Sequence, residues 1–418
     1  MSKSIKIRRC RICGNPNIVS CIDLGKQFLS SVFPDNLSYR KSTQKYPLNL
    51  ILCKKTKITC GTLQLAHDID LTSMYNLYPY SSSTNSSMKD ILKDVVNSAV
   101  SIVDLKKSDV VLDIGGNDGT LLSLLKDKKV ELLAIDPAKN IKQVFASPHY
   151  RYINEFFNKK VYFQATKQKA KLIFSIAMFY HLIDPITFSK NVRECLAENG
   201  VWVIQMAYLP SMLESNMYDN IVHEHVCYYT VHTMQWIMEK AGLEVFDVIL
   251  NDVYGGSFRI FVKHQENKND KQSVRMKKIL QHETTIGINK PSTYRAFMKR
   301  IEKTKNDLRS LLYQIKRKKK KIWIYGASTK GNTILQFCEL DNKSIEAAAD
   351  SNQFKYNKYI IGSDIPIKNE ETMREIKPDY LLVLPYSFVK GFMKRESKLV
   401  NNGTKFIVPL PIVKILPT

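Results

Sequence analysis

Nowhere in these 418 residues do about 18 apolar residues run together, so no segment has the length to cross a bilayer as a helix. The N-terminus lacks the charged, then apolar, then small-residue order of a secretory signal, which predicts a chain that stays in the cytoplasm. No internal repeat or low-complexity tract stands out. Acidic residues are scarce beside basic ones, 39 against 63, giving a formal charge of +24. That excess is spread along the chain, and its one dense run, Lys316 to Lys321 with Arg317 inside it, sits between a helical pattern and a strand. A solvated helix end accounts for the run, with attraction of a diphosphate substrate as the alternative. No recognition helix or aromatic RNA-binding signature accompanies the charge, which argues against nucleic acid as a partner. Two phosphate-binding patterns are also missing: the G-x-G-x-x-G spacing of dinucleotide sites and the G-x-x-x-x-G-K-[ST] order of P-loops.

What is present suggests two to four domains, because the chain is too long for one and its 44% hydrophobic content can fill several cores. Eight cysteines without an export signal point to reduced thiols or metal ligands rather than disulfides. Four of them group early. Cys10 and Cys13 form a C-x-x-C knuckle followed by Gly14, and Cys53 and Cys60 make a wider second pair. Four thiolates would close a tetrahedral zinc shell with no open position, so the expected metal is structural. Cys21, Cys195, Cys227 and Cys338 have no such partners and read as small core residues.

The stretch VVLDIGGNDGTLL, Val110 to Leu122, runs a buried apolar strand into a glycine-rich turn that opens a helix. Nucleoside-like cofactors bind at such turns in α/β folds, and Asp136, at the end of the next apolar run ELLAIDPA, would offer a carboxylate to a ribose. The turn holds Gly115, Gly116 and Gly119 with Asn117 between them, but Asp113 and Asp118 would repel a pyrophosphate. S-adenosylmethionine (SAM) brings an ammonium that wants acceptors, so a SAM site is the leading reading. A dinucleotide site and an ordinary tight turn remain the alternatives.

Apolar runs at LLAID, KLIFSIAMF and GVWVIQMAYL alternate with helical stretches, the βα rhythm of a parallel doubly wound sheet. LEVFDVILND and GGSFRIFVKH read as antiparallel strands closing that unit, and a lysine-rich helical stretch follows from about 266 to 321. A second α/β unit starts at KIWIYGASTKGNTILQF, whose turn combines free N–H groups, a helix start and Lys330. That suits a phosphate, and a packing turn is equally compatible. The segment YDNIVHEHVCYYT brings His223, Glu224 and His225 next to aromatics and a nearby Asp219, just beyond the strand WVIQMAY. In a loop the cluster offers a base and a group to orient it; in a strand His223 and His225 would share a face. His181, in MFYHLIDP after another strand end, could reach the same cleft.

The ordered motifs CRICG, GTLQLAH, YPYSSSTN, DIGGNDGTLL, IDPA, YHLIDP, IQMAYLP, NIVHEH, GGSFRIF, YGASTKGNT and VLPYSF resemble the three-part sugar C-methyltransferases over nearly the whole chain. The resemblance implies an α/β fold in three parts: a small β-rich zinc-binding domain (1–72), a central Rossmann-like SAM methyltransferase domain (73–265), and a C-terminal Rossmann-like domain with a helical lead-in (266–418). It implies methylation of a carbon beside the ketone of a nucleotide-diphosphate-linked deoxysugar through an enolate. The last histidine of the H-E-H motif, the family's base, falls on His225, with Glu224 orienting it. His181 and a tyrosine of the YPY segment, Tyr78 or Tyr80, match groups near the sugar and the enolate oxygen. Cofactor contacts are expected from Asp113 through Gly119, Asp136 and Pro137, and substrate contacts from Asn220, His223, Tyr325, Lys330 and Asn332. Val222 stands where many relatives have a tyrosine, and the Cys53–Cys60 spacing is wider than theirs. Methylation of oxygen or nitrogen on a glycan or lipid-linked sugar is the second reading, and a zinc-bearing nucleic-acid-binding protein a remote third. The chain is expected to act without a membrane, as a monomer or weak homo-oligomer.

Overall fold

Each apolar run of the sequence becomes a strand, and the strands assemble into three large sheets in a computed structural model that describes residues 4–70, 81–84, 86–268 and 273–417. The N-terminal strands are β1 (Ser4–Lys6), β2 (Ile18–Gln27), β3 (Tyr46–Cys53), β4 (Leu63–Leu65) and β5 (His67–Ile69). The central strands are β6 (Val110–Ile114), β7 (Glu131–Ile135), β8 (Tyr150–Ile153), β9 (Ala170–Ile176), β10 (Leu196–Ala207), β11 (Cys227–Tyr228), β12 (Leu243–Asn251) and β13 (Ser257–His264). The C-terminal strands are β14 (Ile322–Tyr325), β15 (Ala347–Ala349), β16 (Tyr359–Ile360), β17 (Ile365–Lys368), β18 (Tyr380–Val383), β19 (Lys405–Val408) and β20 (Lys414–Leu416).

The central sheet runs β12-β13-β10-β9-β6-β7-β8. Its five strands from β10 to β8 are parallel, and β13 and β12 add antiparallel at one edge, as their sequences predict. Every residue of β6 is buried, Asp113 near its end included, as in a strand covered on both faces. The chain winds to one side of β6 through β7 and β8, then returns to its other side with β9. A crevice therefore opens between the carboxyl ends of β6 and β9, where such sheets bind ligands. The C-terminal sheet, β16-β17-β15-β14-β18-β19-β20, repeats this plan with its switch between β14 and β18.

The expected boundary at residue 72 does not confine the first sheet. Its order is β11-β4-β3-β2, so an edge strand is donated by the central stretch of the chain. The apolar core follows suit: Leu50 and Leu65 share one cluster with Met217, Ile301 and Ile334 from the rest of the chain. Much of that join is made by the helix Pro291–Arg317, which starts with proline at its first position and buries Tyr294, Phe297, Ile301, Thr304, Leu308, Leu312 and Ile315 on one stripe. The basic run from Lys316 to Lys321 is exposed beyond that stripe, a solvated helix end as expected. Among the described residues no helix is long and apolar enough to cross a membrane.

One buried carboxylate braces the region behind the H-E-H segment. Glu283 accepts hydrogen bonds from the Tyr208 hydroxyl at 2.8 Å, Val231 N at 2.6 Å and His232 N at 3.1 Å, and it pairs with His232 Nδ1. It thus satisfies N–H groups in the first turn of the helix Val231–Lys240, where a negative charge is favoured. Glu283→Ala would strand these buried donors, and we expect a loss of about 3 kcal/mol in urea unfolding. A loss below about 1 kcal/mol would show that the brace is dispensable.

Candidate active site

The glycine turn after β6 adopts the conformations its residues allow. Gly115 and Gly119 have φ of +75° and +80°, and a Cβ on Gly116 would lie 2.9 Å from that of Ala134. Asp136, at the end of β7, accepts hydrogen bonds from Asn117 N and Ala138 N, both at 2.8 Å, and so ties the two strand ends together across Pro137. Asp118 turns inward. Its oxygens accept from Thr120 N at 3.1 Å, Thr120 Oγ1 at 2.6 Å, Ser83 N at 2.7 Å and Ser81 Oγ at 2.5 Å, while Asn117 Oδ1 accepts from Ser82 N at 3.0 Å. Asp118 therefore shapes the turn and pins Ser81–Ser83 over it, which its place among the glycines did not suggest.

Asp113 behaves differently. It is buried, and among the described residues no hydrogen-bond donor reaches its carboxylate. Burial, reinforced by the nearby Asp136 and Asp118 carboxylates, pushes it up to about 8. A cation beside such a carboxyl would favour its ionised form.

The H-E-H segment is a loop, with a turn at His223–Glu224 between the short helix Tyr218–Asn220 and β11. The alternative of a strand is thereby set aside, and the two histidines diverge. His223 Nε2 meets the Tyr46 carbonyl at 3.3 Å, inside the N-terminal sheet. His225 faces the cleft, where its Nδ1 bonds to the Asn220 carbonyl at 2.8 Å. A carbonyl only accepts, so Nδ1 carries the proton and Nε2 keeps its lone pair. Burial pulls His225 well below the usual histidine range, and His181 and the Lys330 charge push in the same direction. The ring is neutral at pH 7.

Around it lie His181, stacked with ring centroids 5.6 Å apart, and Tyr180, whose ring centroid is 4.1 Å away. Desolvation lowers His181 to about 4, so it too is neutral. Tyr180 immediately precedes His181, and its place beside His225 was not legible in the motif. Lys330 arrives from the turn after β14: its ammonium lies 4.0 Å from Asp219 and 5.8 Å above the Tyr254 ring. Asp219 also accepts from the Tyr386 hydroxyl at 3.0 Å. Residues 218–225 thus touch groups of both doubly wound sheets: Asp219 meets Lys330 and Tyr386 from the C-terminal one, and His225 meets Tyr180 and His181 from the central one.

Several expected site residues are placed elsewhere. Glu224 does not orient His225, because the Asn220 carbonyl occupies Nδ1; its carboxylate instead takes a hydrogen bond from Ser31. Tyr325 bonds Glu396 at 2.8 Å and Arg395 within the C-terminal domain, since alternation along β14 points it to that side of the sheet. Asn332 is fully buried, with Nδ2 against the Ser30 carbonyl at 3.5 Å. Asn220 is buried as well, and its main-chain carbonyl is the group that holds His225. Tyr78 and Tyr80 lie outside the described residues.

The four early cysteines converge despite their uneven spacing. Their Sγ atoms all lie within 4.8 Å of one another, with Cys10–Cys60 at 3.4 Å and Cys13–Cys53 at 3.6 Å. Zinc–sulfur bonds of about 2.3 Å in a tetrahedron require edges of about 3.8 Å, so the set fits zinc. Donors surround it: Gln64 Nε2 to Cys10 at 3.0 Å, Thr62 Oγ1 to Cys60 at 3.2 Å and Asn15 Nδ2 to Cys53 at 3.4 Å. Hydrogen bonds of this kind favour the thiolate that a metal needs.

Comparison with known proteins divides the chain in the same order. Residues 10–75 match a zinc-binding domain, residues 85–248 a methyltransferase domain, and residues 252–411 a C-methyltransferase C-terminal domain. The C-methyltransferase NovU of Streptomyces niveus is 28% identical over 412 residues, covering 98% of this chain and 97% of that protein. Among solved structures, a SAM-dependent methyltransferase of Leishmania major covers 46% of this chain and 81% of its own, with 14% identity and a TM-score of 0.35. One from Clostridium acetobutylicum covers 42% and 92%, with 13% identity and a TM-score of 0.32.

Proposed function

Because this chain belongs to the three-part C-methyltransferase family and is a SAM-dependent enzyme with a structural zinc, we propose that it methylates a carbon beside the ketone of a nucleotide-diphosphate-linked deoxysugar. The observation that carries the reading is His225: a buried, neutral imidazole whose Nδ1 is committed to the Asn220 carbonyl, leaving Nε2 as a proton acceptor inside the cleft. A carbon acid needs such a group, since its proton must leave before the carbon can attack; an oxygen or nitrogen acceptor does not need that step. SAM, when bound, supplies the electrophilic methyl group. Nε2 of His225 takes the α-proton, and the electron pair of that C–H bond moves into an enolate. To His181, neutral and stacked on the base, we assign donation to the enolate oxygen. Lys330, held near Asp219, brings positive charge for the diphosphate. Negative charge arriving with the substrate also stabilises the imidazolium that forms.

The donor is assigned to the crevice of the central sheet, with Asp136 and Pro137 at the ribose and Asp113 with residues 115–119 at the amino acid end. A consequence concerns pH. With Asp113 pushed up to about 8, it is mostly protonated at pH 7, and a ligand ammonium favours its ionised form. SAM affinity should therefore rise from about pH 6 toward about 7.5, with protons released on binding, and fall again at higher pH as the ligand's own α-ammonium deprotonates. Calorimetry in buffers of different ionisation enthalpy measures this, and a pH-independent affinity would remove Asp113 from the contact.

Incubation with SAM and a panel of nucleotide ketosugars, read by mass spectrometry for a gain of one methylene, tests the activity. Solvent deuterium exchange at the sugar carbon without SAM separates carbon from oxygen or nitrogen methylation. No exchange with any ketosugar would sink the proposal.

A further inference from the structure

The H-E-H loop is packed as part of the zinc-bearing sheet, and one side chain connects it to the metal site. β4 is wholly buried, yet its middle residue is Gln64, a polar group at 0% exposure that must be satisfied at both ends. The zinc knuckle satisfies it: Arg11 N donates to Oε1 at 2.9 Å, and Nε2 donates to Cys10 Sγ at 3.0 Å. On the other side of β4 runs β11, with Cys227 directly opposite Gln64. Leu65 N donates to the Val226 carbonyl at 2.9 Å, and Val226 N donates to the carbonyl of Tyr180 at 2.8 Å, whose ring lies against His225. Val226 follows His225 in the chain, so the position of β4 sets that of the base. Two other side-chain donors to the thiols, Thr62 and Asn15, are not paired with β11 among the described residues.

We propose that Gln64 is a positioning residue which registers the H-E-H loop on the zinc centre, so that the metal aims His225 as well as holding the N-terminal domain together. This rests on the reading of His225 as the base. Losing a group that orients a metal ligand typically costs about 10–100-fold, and a displacement of about 1 Å at a reacting group costs a similar amount.

The test uses full-length, zinc-loaded chain carrying ¹⁵N-histidine, with the His225 resonances assigned by their loss in His225→Gln. Wild type should show one Nδ1-protonated tautomer at His225. In Gln64→Leu, zinc content and SAM affinity should stay at wild-type values while the His225 signals shift toward a tautomer average. Ketosugar exchange should fall about 10–100-fold. Thr62→Val, which also removes a donor to a thiolate, should leave His225 unchanged. A zinc-loaded Gln64→Leu with wild-type His225 signals overturns the proposal, as does an equal shift in Thr62→Val. Should Gln64→Leu not retain zinc, exchanging zinc for the larger cadmium in wild type gives the same reading: coupling shifts the His225 signals and leaves those of exposed His149 in place, and an unshifted His225 overturns it. If His225 is not the base, His225→Gln keeps ketosugar exchange, whereas the wild-type resonances still report whether Gln64 holds the loop.

Discussion

His225→Ala should lower turnover by about 10²–10⁴-fold while leaving SAM affinity within about twofold of wild type. The first half follows from the tautomer: Nε2 is the lone pair that the Asn220 hydrogen bond leaves free, and His181 is stacked beside it with burial keeping both rings neutral. The second half follows from the topology. The crevice to which we assign the donor lies at the ends of β6 and β7, whereas His225 comes from the loop before β11, so removing its ring leaves Asp113 and Asp136 untouched. Deuterium exchange should fall in parallel with methylation, because both require the same proton to leave. Full turnover in the variant would take His225 out of the mechanism, and retained exchange with lost methylation would move its role to a later step.

Loss of the zinc centre should have the other large effect. Structural zinc contributes about 10–16 kcal/mol to folding in small finger peptides, and here it anchors a sheet whose other hold is the apolar core shared with Met217, Ile301 and Ile334. Cys53→Ala, or chelation of wild type, should release the sheet β11-β4-β3-β2 and with it the H-E-H loop. Turnover should fall to background while the SAM crevice still binds. Hydrogen exchange read by mass spectrometry locates the change: protection should be lost across residues 18–65 and 222–228 and kept in β6, β7 and β9. Unchanged protection in β11 after metal removal would mean that the central domain alone holds the loop.

Much of this architecture is legible in one dimension because local chemistry dictates it. Mostly apolar runs such as VVLDI and AKLIFSI specify covered strands, alternation with helices specifies a parallel sheet, and glycines at +75° and +80° mark the turn where a cofactor can approach. The cysteines were legible as a set because zinc needs four soft ligands, even though Cys53 and Cys60 stand wider apart than a usual knuckle. The roles of individual polar groups were harder to read. Asp113 and Asp118 look alike beside the glycines, yet one is buried without a described donor and the other is consumed by Ser81, Ser83 and Thr120. Glu224 looks like the partner of its neighbour His225, but adjacent residues in a loop point apart, and a backbone carbonyl five residues upstream takes the ring nitrogen instead.

The residue order was enough to specify the strands and helices of two doubly wound sheets, a glycine turn at a sheet crevice and a thiolate set, since each rests on contacts within a few residues or on the demands of one element. Which carboxylate stays free, which histidine nitrogen keeps its lone pair, and that a strand after the base completes the zinc-bearing sheet were settled only by packing. Hydrogen-bond partners such as Gln64 and Cys10 lie 54 residues apart, and no local pattern encodes a contact over that distance.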